Sequence, residues 1–272
     1  DILIATDPDC DRVALEVKDK NGEYVFLNGN RIGALLSYYI FSQRHALNNL
    51  PENPVLVKSI VTGDLSKTIA KKYGIETVET LTGFKNICGK TNEYDVTKEK
   101  NYVFGYEESI GFCYGSFVRD KDAVGASMMV VEMAAYYKKQ GKSLLDVLND
   151  IYEEFGYYNE RQVSLELEGI EGQQRIGRMM EDFRDNPIKE IGEISLEKII
   201  DFKDGYLDFP KQNCLKYYLN DGSWYALRPS GTEPKIKFYI EVRGDMECPK
   251  CYKAVRAEAM KKVDAVRESL GL

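Results

Sequence analysis

Three aspartates at alternate positions, Asp7, Asp9 and Asp11, follow the short apolar run Ile2-Leu3-Ile4-Ala5-Thr6. Fully charged oxygen donors crowded this closely select a hard divalent cation such as Mg2+. The apolar run reads as a buried strand, and open α/β sheets gather their ligands beyond the carboxyl ends of their strands, so the acidic loop falls at a binding end. A second group of residues suits an anion. Arg228-Pro229-Ser230-Gly231-Thr232-Glu233-Pro234-Lys235, with Lys237 just beyond, combines two hydroxyls, flanking cations and a glycine that lets backbone N–H groups approach a ligand. Such a nest suits a phosphate monoester, and Arg228 can bind it as a fork.

Other readings of the acidic run compete. A calcium loop of the EF-hand type needs glycine at its sixth position and glutamate at its twelfth, where this chain has Arg12 and Lys18, so that reading fails. A Mg-dependent phosphatase opening D-x-D-x-[TV] could use Asp7 as nucleophile and Asp9 beside it. Asp11 then stands where Thr or Val is required, and no downstream Asp-rich motif accompanies it. A solvated acidic turn is the plain structural alternative, as a proline-flanked turn is for residues 228–235. A simple turn, however, has no need of Arg, Ser and Thr together.

The surrounding pattern indicates what positions these groups. Residues 13–17 alternate and pass through Asp19-Lys20-Asn21-Gly22 into Tyr24-Val25-Phe26-Leu27, a hairpin. A helix from about Arg31 to Ala46 follows, capped by Asn28-Gly29-Asn30, and His45, the only histidine, lies at its end as a surface residue. After a polar, proline-bearing stretch near residue 50, strands at 55–61, 76–80 and 102–105 alternate with helices at 65–73, 84–93 and 123–139, and a further helix spans 144–155. That rhythm is a parallel-sheet domain. Its suggestive loops are Thr82-Gly83-Phe84-Lys85, residues 105–111 and residues 119–122. Beyond Tyr157 the pattern changes: a strand at 162–167, a helix at 172–186, an irregular stretch at 194–205, a hairpin through Asn220-Asp221-Gly222-Ser223, a strand at 236–242 and a helix at about 251–270. The fold expected is α/β, with parallel-sheet α/β domains followed by a smaller C-terminal α+β domain. The divisions are 1–49 (the C-terminal part of an α/β domain carrying the acidic loop), 50–158 and 159–272.

A net charge of −7 argues against nucleic acid as partner, so a phosphorylated ligand must be met by local positive charge. No apolar stretch approaches a membrane span, and cytoplasm is the expected compartment. Six cysteines at irregular spacing read as incidental thiols, and the single pair Cys248 and Cys251 as at most half a zinc site. A strand bearing a ligand cluster needs neighbours on both faces, so further chain is expected before Asp1.

Asp7-Pro8-Asp9-Cys10-Asp11-Arg12, Gly105-Tyr106-Glu107-Glu108-Ser109 and Arg228-Pro229-Ser230-Gly231-Thr232-Glu233-Pro234 resemble the metal, sugar-binding and phosphate-binding loops of the α-D-phosphohexomutases, in particular the phosphoglucomutase/phosphomannomutase group. They stand in that family's order and spacing, and the resemblance covers the whole chain, from the end of the family's second domain through its fourth. The phosphoserine loop of the family's first domain has no counterpart among these residues, which implies a piece of a longer protein.

The resemblance implies the following roles. Asp7, Asp9 and Asp11 would hold Mg2+, with Arg12 next to the transferring phosphoryl group. Glu107 and Ser109 would bind sugar hydroxyls, and Glu108 has no assigned role. Lys121 would stand near the reacting oxygen as general acid or electrostatic stabiliser, with Lys85 a second candidate for the cleft. Arg228, Ser230, Gly231, Thr232 and Lys237 would grip the phosphate that does not react. The implied activity interconverts hexose 1-phosphate and hexose 6-phosphate, through glucose 1,6-bisphosphate when the sugar is glucose. The implied partners are a phosphosugar and an N-terminal phosphoserine domain. Alternatives are a non-catalytic sugar-phosphate-binding module and the phosphatase above.

Overall fold

The structure, a computed structural model, describes residues 1–231, 233–244 and 251–272. The chain divides into two compact units, Asp1–Phe155 and Gly156–Leu272.

In the first unit, β1 (Ile2–Thr6), β2 (Val13–Lys18) and β3 (Tyr24–Leu27) form an antiparallel sheet in that order. The expected hairpin at 13–27 is present, with Leu15 opposite Leu27. β1 corrects the expectation of a strand buried in an open parallel sheet. It pairs antiparallel with β2, Thr6 opposite Val13, and Leu3 is 49% exposed. The acidic run is therefore the turn of a hairpin. Its closure is local: Asp7 accepts hydrogen bonds from the N–H groups of Asp11 and Arg12, and Cys10 takes a left-handed backbone conformation, φ 59°.

The second sheet follows the order β5-β4-β6-β7, with β4 (Pro54–Ser59), β5 (Glu76–Thr80), β6 (Asn101–Glu107) and β7 (Gly111–Tyr114). β4 runs parallel to both β5 and β6, whereas β7 returns antiparallel to β6. The helices are α1 (Gly29–Ala46), α2 (Leu65–Lys72), α3 (Phe84–Thr97), α4 (Ala123–Lys138) and α5 (Leu144–Phe155). From β4 the chain goes through α2 to β5, then through α3 to β6 on the other side of β4. This reversal marks a switch point between β4 and β6, and sheets of this kind bind ligands beyond the carboxyl ends of the strands at such a point.

Strand alternation sorts the core between the two faces. Val55 and Val57 of β4 pack with Phe84, Ile87, Cys88 and Tyr94 of α3 and Cys113 of β7. Tyr106 faces the other way against α1, close enough that a Cβ on Gly33 would lie 2.1 Å from its ring. Its hydroxyl meets Ser66 of α2 at 2.8 Å. Because α1 packs directly on β6, residues before 50 and residues after it lie in one compact unit.

The second unit is one antiparallel sheet, β8-β13-β12-β11-β10-β9. Its strands are β8 (Tyr157–Glu166), β9 (Glu190–Ile191), β10 (Ile194–Asp201), β11 (Leu215–Leu219), β12 (Trp224–Pro229) and β13 (Lys235–Gly244). Helix α6 spans Gly169–Asp185, and α7 (Tyr252–Ser269) buries Ala259, Val263 and Val266 against the sheet. The expected irregular stretch at 194–205 contains a real strand, β10, paired with β11 across a register shift between Leu196 and Lys198. That shift explains why its alternation does not read as a strand. The turn at 220–223 joins β11 to β12 as expected.

Candidate active site

Within the first unit four segments far apart in sequence meet. The carboxylate oxygens of Asp7, Asp9 and Asp11 lie within 4.8 Å of one another. Hydrogen bonds from the Arg12 backbone N–H, joined by that of Asp11, hold the Asp7 carboxyl below the usual carboxylate range. Asp11 Oδ2 is 2.7 Å from Lys121 Nζ. Its Oδ1 is buried, lies 3.9 Å from Arg12 Nε and accepts no hydrogen bond among the described residues. Three clustered carboxylates, one with a buried oxygen lacking a donor, fit a hard divalent cation.

The acidic turn is stitched to the other loops by its backbone. Arg12 bridges to Gly111, and Val13 donates to the carbonyl of Ile110 at 3.1 Å. Ala123, at the start of α4, donates to the carbonyl of Cys10 at 3.3 Å. Lys121 reaches across the junction. A Cβ on Gly111 would fall 2.5 Å from its Cδ, and its ammonium sits 5.5 Å from the centre of the Phe84 ring. Burial works against the Lys121 charge, but Asp11 and Asp120 outweigh it and hold the pKa above the ordinary lysine value. Lys121 is therefore a fixed cation beside the acidic cluster in this structure.

Residues 105–111 form a hairpin and not the open loop that the spacing suggests: Glu107 ends β6, Gly111 begins β7, and Ile110 at the tip has φ 58°. Adjacent carboxylates leave β6 in opposite directions. Glu107 Oε1 accepts the Gly83 N–H at 2.7 Å, at the start of α3. Glu108 Oε2 accepts from Thr62 Oγ1 at 2.9 Å, in the loop after β4. Ser109 is half-buried at the tip, Lys85 is exposed in the first turn of α3, and Arg12 has a half-exposed side chain.

The role of residues 59–64 was not read from the sequence. Lys58, fully buried, lies 2.9 Å from Asp64 and 3.0 Å from Glu79 and donates to the Thr62 carbonyl at 2.7 Å. Burial opposes its charge, and the two carboxylates more than offset it, so the ammonium stays protonated. A lysine inside an otherwise apolar β4 was the available signal, because a buried ammonium requires partners.

In the second unit the residues expected to bind an anion occupy one hairpin. Arg228 of β12 stands opposite Lys237 of β13. The Ser230 N–H donates to the Lys235 carbonyl at 2.7 Å, and Ser230 Oγ accepts from the Glu233 N–H at 3.3 Å. Lys235 pairs with Glu233 at 2.5 Å. Arg228 Nε is buried without a hydrogen-bond partner among the described residues, and a Cβ on Gly231 would meet nothing within 4 Å. A guanidinium donor without an acceptor on the same hairpin as an unobstructed glycine is compatible with an anion. Thr232 lies outside the described residues, as does Cys248. Cys251 is disulfide-bonded, which overturns its reading as an incidental thiol, whereas Cys88, Cys113 and Cys214 are buried free thiols and Cys10 is partly exposed.

The family model "Phosphoglucomutase/phosphomannomutase, alpha/beta/alpha domain III" matches residues 28–155, and that for the same family's C-terminal domain matches residues 172–266. The chain belongs to the phosphoglucomutase/phosphomannomutase family. A phosphoglucomutase of Staphylococcus epidermidis is 39% identical over 256 residues, which is 90% of this chain and 46% of that protein. The chain thus spans about half the length of the curated relatives it matches. Among solved structures, the Paramecium phosphoglucomutase parafusin in its open form superimposes with TM-score 0.64 at 19% identity, over 97% of this chain and 45% of that one. An Aspergillus fumigatus N-acetylphosphoglucosamine mutase, in complex with GlcNAc-6P and magnesium, gives 0.53 at 15% identity, over 98% and 49%. At these identities the structures establish the phosphohexomutase fold alone. Among the described residues no helix is long and apolar enough to cross a membrane.

Proposed function

We propose that this chain supplies the metal-, sugar- and phosphate-binding parts of a phosphohexomutase that interconverts hexose 1-phosphate and hexose 6-phosphate. The observation carrying this reading is the junction of Asp7, Asp9 and Asp11 with Lys121, which lies against Gly111 of the hairpin bearing Glu107 and Ser109. Asp7, Asp9 and Asp11 hold Mg2+, which when bound offsets charge on a transferring phosphoryl group.

The chain's own residues do the rest. Lys121, held cationic, stabilises charge near the reacting oxygen, and Arg12 adds a second cation from the same loop. Lys85 is a third cationic candidate for the cleft, at the start of α3. Glu107 and Ser109 offer a carboxylate acceptor and a hydroxyl to sugar hydroxyls. Arg228, Ser230, Gly231, Thr232 and Lys237 take the second phosphate. The phosphoryl donor is a phosphoserine from a separate domain, and the reaction passes through a hexose 1,6-bisphosphate, glucose 1,6-bisphosphate for a glucose substrate. The chain by itself therefore does not turn over.

The test is a coupled assay with glucose 1-phosphate and Mg2+. The chain alone should give no glucose 6-phosphate, and adding a separately expressed phosphoserine domain should restore turnover. Robust turnover by the chain alone overturns the missing-donor reading. Sugar-phosphate binding without turnover beside that domain favours a binding module, and release of inorganic phosphate favours a phosphatase.

A further inference from the structure

Glu108 stands between two residues assigned to the sugar, yet its side chain is turned away from them. Period-two alternation sends Glu107 toward α3, whereas Glu108 accepts from Thr62 Oγ1 at 2.9 Å and from Ser59 Oγ at 3.4 Å. Ser59 and Thr62 are fully buried, and their hydroxyls bond each other at 2.8 Å. Beneath them Lys58 holds the Thr62 carbonyl, and Asn30 Oδ1 of α1 accepts the Gly63 N–H at 2.9 Å. The start of α1 also presses on the hairpin's backbone, where a Cβ on Gly29 would lie 2.1 Å from the Glu108 carbonyl oxygen. The tip is thus held at its carboxylate by the β4 loop and at its backbone by the start of α1.

We infer that Glu108 is a positioning residue: through Thr62 and Lys58 it braces the hairpin tip, so that Glu107 and Ser109 are preorganised for sugar hydroxyls. This rests on the sugar-binding reading above. The hydrogen bonds anchor the side chain at a tip whose backbone is held by Val13 and by the start of α1, and displacement of such a ligand set by about 1 Å is enough to weaken recognition substantially. Glu108 makes no contact with substrate in this scheme, and its effect on binding runs through Thr62.

The experiment is an NMR titration of the chain with glucose 6-phosphate and, separately, with inorganic phosphate, following the amides of Ser109–Gly111 and of Ser230 and Gly231. The parent should show sugar-phosphate shifts at both groups and phosphate shifts at Ser230 and Gly231. Glu108→Ala and Thr62→Val should each weaken the response at Ser109–Gly111 about tenfold and leave the phosphate response unchanged. Glu108→Gln, whose amide oxygen can still accept from Thr62, should keep most of the parent affinity. If Glu108→Ala and Thr62→Val both titrate like the parent, the brace is wrong while sugar binding stands. Glu108→Gln as weak as Glu108→Ala would point to direct use of the charge and also overturn it. A parent with no response at Ser109–Gly111 removes the sugar reading and the brace together.

Discussion

The two candidate ligand-binding regions are built in opposite ways. The acidic turn, Lys121, Glu107 and the β4 loop come from positions spread over 1–122 and depend on one another through cross-links. The phosphate hairpin lies within residues 228–237 and closes through its own backbone. A dispersed site inherits the stability of everything that braces it, whereas a local one needs only its two strands and the sheet they lie in. Damage in the first unit should therefore spread to both fold and binding, and damage in the second should be separable.

Lys58→Met is the sharpest break. It leaves Asp64 and Glu79 without their shared cation and should cost the first unit about 3–5 kcal/mol, the range for breaking a buried ion pair. Trp224, the only tryptophan, sits in β12 of the second unit. Urea unfolding followed by far-UV circular dichroism should show an early transition that tryptophan fluorescence lacks. A coincident shift of both probes would mean that the units unfold together and would collapse the contrast.

Arg228→Ala should weaken binding of phosphate at the second unit by about 1.5–3 kcal/mol, with an unchanged unfolding midpoint. Arg228→Lys should recover only part of it, because a point charge lacks the fork. Calorimetry with inorganic phosphate measures both, and a parent-like affinity for Arg228→Ala would remove the assignment.

Gly29→Ala has no flexible neighbour to yield: its new methyl meets the Glu108 carbonyl oxygen at 2.1 Å. A loss of about 1–3 kcal/mol is expected from overpacking, together with weaker glucose 6-phosphate shifts at Ser109–Gly111. Gly231→Ala is its counterpart in the local site. With nothing within 4 Å of the added Cβ, stability should stay within about 0.5 kcal/mol of the parent. Thermal melts of the two variants compare them directly, and an equally large loss at Gly231 would show that the hairpin is less self-contained than its hydrogen bonds indicate.

That Asp7, Asp9 and Asp11 cluster and that residues 228–237 form one compact segment was legible because close spacing carries the signal, whatever the surrounding fold. Helical patterning and the strand–helix rhythm likewise placed α1, α4, α5 and α7 to within a few residues. What local pattern left open were questions of pairing. Whether Ile2–Thr6 lies in a parallel sheet or an antiparallel hairpin depends on where its partner strand is, and β2 decides it. Residues 105–111 read as a loop because Gly111–Tyr114 is short, and only its register on β6 turns it into a strand.

The direction taken by each of two adjacent glutamates was also beyond local pattern. Composition makes Glu107 and Glu108 equivalent, and alternation requires only that they diverge. That Glu107 meets Gly83 and Glu108 meets Thr62 was decided by α3 on one face of the sheet and by the β4 loop on the other. Residue types and their spacing set which chemistry the chain can perform, since charge and hydrogen-bonding capacity belong to the side chain itself. Which of those groups meet was left to the tertiary fold, because a hydrogen bond between residues 46 apart in sequence exists only once the sheet has ordered its strands.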